Sequence, residues 1–197
     1  MKQRAFTLVE LLIVIGIIII LSGVLLPVLI GAGKKADQTK AKAEITTLVN
    51  AIKQFESTYG VLPVPNGAAE ALTDVQYTQL ILILQGETTG LDAANTTKNS
   101  RNIKFLDIVG NTPGAYADPW ENNYVVLLDI DYDGEIATIP NGVSAALLHY
   151  SVVVWSMGPD GRVNTDATAP ELKRNRDNVY SFNTTWDPAA TLHNIER

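Results

Sequence analysis

Two sets of carboxylates stand out by their position. Glu10 is the only charged side chain between Phe6 and Gly33. An acid inside so apolar a segment is costly unless something pairs with it, and such residues mark functional positions. Asp129, Asp131 and Asp133, followed by Gly134, repeat at the spacing that opens an EF-hand calcium loop, whose hard cation takes oxygen ligands. That loop also needs a bidentate Glu at its twelfth position, which here is Pro140, so a complete EF-hand is excluded. Asp133-Gly134 reads instead as the turn of a hairpin joining Tyr124–Leu128 to Glu135–Ile139. Other chemistries are poorly supplied. There is no cysteine, and the two histidines, His149 and His193, are far apart, which argues against a zinc site. Neither histidine belongs to a nucleophile motif. Gly31-Ala32-Gly33-Lys34-Lys35 superficially resembles a phosphate loop, but Val28 stands where its first Gly should be and Lys35 where its Ser or Thr should be. No catalytic constellation emerges, and the chain is not expected to be an enzyme.

The element that positions Glu10 is the apolar run itself. Leu11 to Ile30 holds no charge, enough helix at about 1.5 Å per residue to cross a hydrocarbon core of about 30 Å. Lys2 and Arg4 precede it, and Lys34 and Lys35 follow. A secretory signal peptide has a shorter apolar core of about 7–15 residues, although Gly31-Ala32-Gly33 could pass for its cleavage site. The other readings are a plain membrane anchor and a segment processed ahead of the run. Beyond it, Ile45, Leu48, Val49, Ile52, Phe55 and Tyr59 recur at helical spacing, with Lys42, Glu44, Lys53 and Glu56 on other faces, until Gly60 and Pro63 stop the helix. Pro27, with Gly16, Gly23, Gly31 and Gly33, weakens the middle, and a kink or local melting between Gly23 and Gly33 is expected on assembly.

Ala5-Phe6-Thr7-Leu8-Val9-Glu10-Leu11-Leu12-Ile13-Val14 resembles the N-terminal processing motif of type IV pilins and of the pseudopilins of type II secretion. The resemblance implies that a leader peptidase, the prepilin peptidase, cuts between Ala5 and Phe6 and methylates the new amine, although the family usually has Gly where Ala5 stands. Pro27 falls where the family commonly has a helix-kinking proline. In a bundle of such helices, Glu10 of one copy could pair with the Phe6 amine of the next and set register, replacing two isolated charges by one pair. The alternative is that Glu10 only reaches toward the headgroups.

In the following segment, Thr73-Asp74 could cap a short helix that runs through Leu84 and ends at Gly86. Glu87 to Arg101 has the composition of a surface loop. Asn102 to Val109 is expected to be a short strand or extended segment leading to a turn at Asn111-Thr112-Pro113-Gly114. Asp118-Pro119-Trp120-Glu121-Asn122-Asn123-Tyr124 is a turn that should bury Trp120. It is similar to the Asp-Pro-Trp-Gly-x-Pro-Tyr motif of the major pseudopilins, with Glu121 and Asn123 in place of Gly and Pro. Val152 to Trp155 is apolar throughout and reads as a central strand. It runs into Ser156-Met157-Gly158-Pro159-Asp160-Gly161-Arg162, which together with Asp177-Asn178-Val179-Tyr180-Ser181-Phe182 resembles the calcium-binding loop of the same family. The resemblance implies a calcium ion held by the Met157 backbone carbonyl, the Asp160 and Asp177 carboxylates and the Asn178 side-chain oxygen. Closing a long loop with a metal would serve a chain that has no disulfide.

These observations imply an α+β, pilin-like fold: a long N-terminal helix with a transmembrane half and an amphipathic half, packed on a small antiparallel β-sheet head. The expected organisation is a leader at 1–5, a transmembrane assembly helix at 6–33, an amphipathic helix at 34–62 and a globular periplasmic head at 63–197. The formal net charge of −6 argues against a nucleic-acid partner. The resemblance implies a type II secretion pseudopilus subunit: a homo-polymer in a helical filament, single-pass in the inner membrane, meeting the prepilin peptidase, the assembly platform and minor pseudopilins. A type IV pilus subunit, or a membrane-anchored binding module that never polymerises, are the alternatives.

Overall fold

The structure is a computed structural model that describes residues 8–107, 112–134, 136, 150–162 and 178–181, with the side chains of 24–31 outside that set. The chain divides into two compact units, Met1–Thr39 and Lys40–Arg197. Helix α1, Leu8–Tyr59, begins in the first and ends in the second.

In the first unit, α1 carries its described large aliphatic side chains outward on every face. Twelve of them, from Leu8 to Leu21, are 45–78% exposed. Among the described residues no helix is long and apolar enough to cross a membrane. The uncharged run Leu11 to Ile30 includes positions 24–30, whose side chains lie outside the described set.

In the second unit the same helix has one buried face. Ala41, Ile45, Leu48, Ala51, Ile52 and Phe55 are buried, and Val49 and Tyr59 pack at the margin, as the apolar spacing predicts. The helix stops before Gly60, whose N–H donates to the Glu56 carbonyl at 2.7 Å. Helix α2, Asp74–Gln85, follows the sequence signals closely. Thr73 is its N-cap in a capping box with Gln76. Gly86 closes it in the left-handed region, and a Cβ there would meet the Asn102 carbonyl oxygen at 2.7 Å. Tyr77, Leu80, Ile81, Ile83 and Leu84 of α2 join the α1 face in one core.

The sheet has three antiparallel strands in the order β1 (Val125–Leu128), β2 (Val152–Ser156), β3 (Val179–Tyr180). Val125 pairs with Trp155 and Leu128 with Val152; Ser156 pairs with Val179. Successive side chains alternate between the two faces. Val126, Leu128, Val152 and Val154 enter the core with the helices, while Leu127, Val153, Trp155 and Tyr180 form a second cluster with Ile136. Burial on both faces explains the unbroken apolar sequence of β2, which is central as expected.

Two local expectations fail. The hairpin does not form as read, because both edges of β1 are taken: one by β2, the other by 70–72 through the Ala71–Leu127 bridge and the bonds Leu72 N–H to Val126 O and Leu128 N–H to Glu70 O. Most of the expected partner, 135 and 137–139, lies outside the described residues. Asn102–Asp107 holds no strand, which leaves the extended-segment alternative, and 108–109 lie outside the described residues; the Phe105 and Leu106 N–H groups both donate to the Leu84 carbonyl at the end of α2. Trp120 is half-buried rather than buried. Glu87 to Arg101 is a run of turns at the surface, yet it is anchored from inside by two buried residues, Asn95 and Asn99. Asn95 accepts from Asn66 N–H and donates to Gln79 Oε1; Asn99 donates to the Ile83 and Ile103 carbonyls.

Candidate functional site

The N-terminal candidates divide between described and undescribed positions. Ala5 and Phe6 lie outside the described residues, so the cleavage expected between them is not addressed by the fold. Glu10 lies in the first turn of α1 and is exposed. Pro27 is within α1, its side chain outside the described set. Gly16, Gly23 and Gly33 have no atom within 4 Å of where a Cβ would stand, among the described residues. Each Gly costs roughly 1 kcal/mol of helix propensity relative to Ala. Nothing described within the chain uses the space they leave.

In the second unit, the Asp118 turn and the Ser156 loop form one hydrogen-bonded assembly. Asp118 is 5% exposed. Its Oδ1 accepts from Trp120 N–H at 3.0 Å and Asn122 N–H at 2.8 Å, and its Oδ2 accepts from the Ser156 hydroxyl at 2.5 Å. Ser156 Oγ in turn accepts from Gly158 N–H at 3.0 Å, and Asn122 Nδ2 donates to the Gly158 carbonyl at 3.4 Å. Gly161 has φ +62°, a left-handed conformation that favours glycine, and a Cβ there would approach Asn122 Oδ1 to 3.1 Å, a tight contact between the two turns. The two segments that each suggested a motif are therefore parts of one structure. Sequence reading found both but not the Asp118–Ser156 bond between them, since residues 38 apart give no local signal of pairing.

The loop residues expected to hold calcium are placed in part. Met157 follows β2 and is half-buried; Asn178 immediately precedes β3 and is half-buried. Because Ser156 pairs with Val179 in an antiparallel register, Met157 and Asn178 stand at the same end of that pair. Asp160 closes a short 3-10 turn, Gly158–Asp160, and is exposed, with its Oδ1 accepting from Arg162 N–H at 2.9 Å. Asp177 and Phe182 lie outside the described residues. The described donors are hard oxygens on two converging chain segments, a set that fits calcium.

One further network was not anticipated. Glu44 on α1 accepts from the Tyr124 hydroxyl at 2.7 Å, its carbonyl accepts from the Tyr116 hydroxyl at 3.0 Å, and Tyr77 donates to the Tyr116 carbonyl at 2.6 Å. Burial raises the pKa of all three phenols above the usual tyrosine range; for Tyr124 the hydrogen bond to Glu44 adds to it, and for Tyr116 the Glu44 charge does. They stay protonated and act as fixed donors that tie α1 and α2 to the Asp118 segment.

Comparison with known proteins places these regions in context. The model of the prokaryotic N-terminal methylation motif matches residues 1–26. The chain is similar to type II secretion system core protein G of Escherichia coli strain K12, 32% identical over 165 residues, which is 84% of this chain and 88% of that protein. It is similar to the proteins of the same name from Vibrio cholerae serotype O1, at 27% over 87% of this chain and 90% of that one, and from Aeromonas hydrophila, at 27% over 84% and 89%. No solved structure matches.

Proposed function

This chain belongs to the type II secretion system core protein G family, the major pseudopilins, and from that premise we propose how it serves as a structural subunit of a secretion pseudopilus. The subunit is processed by the prepilin peptidase at the Ala5–Phe6 bond and polymerises through its N-terminal helix to support protein export. The observation that carries this reading is the first half of α1: twelve large aliphatic side chains left 45–78% exposed around a helix with Glu10 in its first turn. Burying such surface is worth roughly 25 cal/mol per Å². A bilayer covers it before assembly, and neighbouring copies cover it afterwards.

Within that reading Glu10 sets register by pairing with the Phe6 amine of the adjacent copy, and the glycines leave room for neighbouring helices to approach. The chain is single-pass in the inner membrane with its head in the periplasm, and it assembles as a periplasmic or cell-surface filament with minor pseudopilins on the inner-membrane platform. Calcium is held by the Met157 carbonyl, Asp160, Asp177 and Asn178. Bound there, it supplies a rigid closure between β2 and β3.

The test uses the native absence of cysteine. Single-cysteine reporters placed along α1 are crosslinked in membranes, in the parent and in Glu10→Ala. The variant is expected to reach the membrane fraction and to lose the crosslinked ladder; normal ladders from it would overturn the pairing. The intact mass of the parent should show loss of Met1 to Ala5 and gain of one methyl group. For the calcium loop, the parent should melt at lower temperature in chelator, and Asp160→Ala with Asp177→Ala should reduce that difference.

A further inference from the structure

The segment that leaves β1 carries Asp129, Asp131 and Asp133, and the fold gathers them: one carboxylate oxygen from each lies within 4.8 Å of the others. Asp131 and Asp133 are exposed, whereas Asp129 is 4% exposed. The two oxygens of Asp129 are in unequal positions. Oδ2 accepts from Gly134 N–H at 3.2 Å, and Oδ1 is buried with no hydrogen-bond partner among the described residues. A buried carboxylate oxygen with no donor, beside two further carboxylates, is destabilising unless a cation joins them.

We propose that Asp129, Asp131 and Asp133 form a divalent cation site, for which calcium is the fitting ion, separate from the loop that ends at Asn178. The three named donors are all hard oxygens, with no histidine or cysteine among them, which disfavours zinc and copper. Calcium takes six to eight oxygen ligands in flexible geometry, whereas magnesium demands near-ideal octahedral order and gives up its waters reluctantly. A set of three exposed and buried carboxylates on one short loop suits the larger, more tolerant ion. The missing twelfth-position glutamate makes this an open half-loop rather than an EF-hand, with water completing the shell on the exposed side. The loop is anchored at two points. Asp129 N–H donates to the Ser151 carbonyl at 3.1 Å, and the Tyr132 hydroxyl accepts from Leu62 N–H at 2.7 Å, just past the end of α1. A cation held here stiffens the connection between the end of α1 and the exit of β1.

The experiment uses the full chain in detergent with Asp160→Asn and Asp177→Asn already in place, so that binding at the other loop does not contribute. Terbium is titrated and its luminescence, sensitised by Tyr132 in the loop, is followed; calcium is then used to displace it. Expected are one bound ion per chain and, with Asp131→Asn plus Asp133→Asn added, an affinity lower by roughly tenfold or more, since charge count sets affinity at such sites. Those two side chains are exposed, so the fold persists and circular dichroism verifies it. Asp129→Asn should weaken binding in the same direction. No displaceable terbium at about millimolar calcium, or an affinity unchanged within about twofold in the double variant, would overturn the proposal.

Discussion

Two buried aspartates flank β1, and their surroundings differ. Asp118, before the strand, has both oxygens taken up by its own fold: two backbone N–H groups on one, the Ser156 hydroxyl on the other. Asp129, just after the strand, has, among the described residues, one backbone donor on Oδ2, none on Oδ1, and two acidic neighbours. The first is a finished brace that fastens one turn to another. The second is an incomplete shell that favours a ligand. Burial alone therefore does not tell a structural acid from a binding one; the count of donors does.

The comparison breaks most visibly at Asp118. Asp118→Ala strands two backbone N–H groups and a serine hydroxyl, so a loss of about 3 kcal/mol is expected in denaturant unfolding of the full chain. A loss below about 1 kcal/mol would mean that water replaces the carboxylate and that the brace is not one. The counterpart at the other end of the strand should behave in a different way. In chelator, Asp129→Asn keeps an acceptor for Gly134 N–H and removes one of three like charges, so its stability should be no lower than the parent's. With calcium at ten times the dissociation constant the parent gains about 1.4 kcal/mol by linkage, and the variant should gain almost none of it. The readout is the difference between melting curves with and without calcium, in the background lacking Asp160 and Asp177 carboxylates.

The contrast between these two turns also shows what could be read from the chain. Features set by neighbours in sequence were legible: the stop at Gly60, the Thr73 and Gly86 ends of α2, the stripe from Ile45 to Tyr59, and the central β2. Each rests on a side chain acting within about four positions or on a run long enough to show its period. Pairings across the fold were not legible. Asp133-Gly134 promised a local hairpin, but β1 found its partner at Val152–Ser156 and its second edge partner at 70–72. The core anchors Asn95 and Asn99 were hidden in a polar loop because their partners, Gln79 and the carbonyls of Ile83 and Ile103, come from elsewhere. At the candidate sites, residue types and motif segments were visible, while the Asp118–Ser156 link, the Glu44 network and the convergence of Asp129 with its neighbours appeared only in three dimensions.

A smaller effect sharpens the account of the brace. Ser156 Oγ donates to Asp118 and accepts from Gly158 N–H, so Ser156→Ala should cost about 1.5 kcal/mol. Combined with Asp118→Ala it should cost less than the sum of the two, because both remove one shared bond. Strict additivity in the double-mutant cycle would show that the hydroxyl and the carboxylate do not cooperate.

The smallest effect concerns backbone strain, which both turns contain. Glu121 in the Asp118 turn has φ +69° and Tyr132 in the Asp129 loop has φ +60°, each a left-handed position that glycine occupies at little cost. Tyr132 offsets its strain with the bond its hydroxyl accepts from Leu62 N–H. Glu121 is exposed and stands where the related motif has glycine. Relieving the left-handed conformation is worth about 1–2 kcal/mol, and the extra freedom that glycine brings to the unfolded chain returns roughly half of it. Glu121→Gly should therefore stabilise by about 0.5 kcal/mol, whereas Tyr132→Gly should destabilise, because it gives up a hydrogen bond along with the strain. The opposite signs are the discriminating result: if both substitutions stabilised the chain, the Tyr132–Leu62 bond would not be anchoring the Asp129 loop.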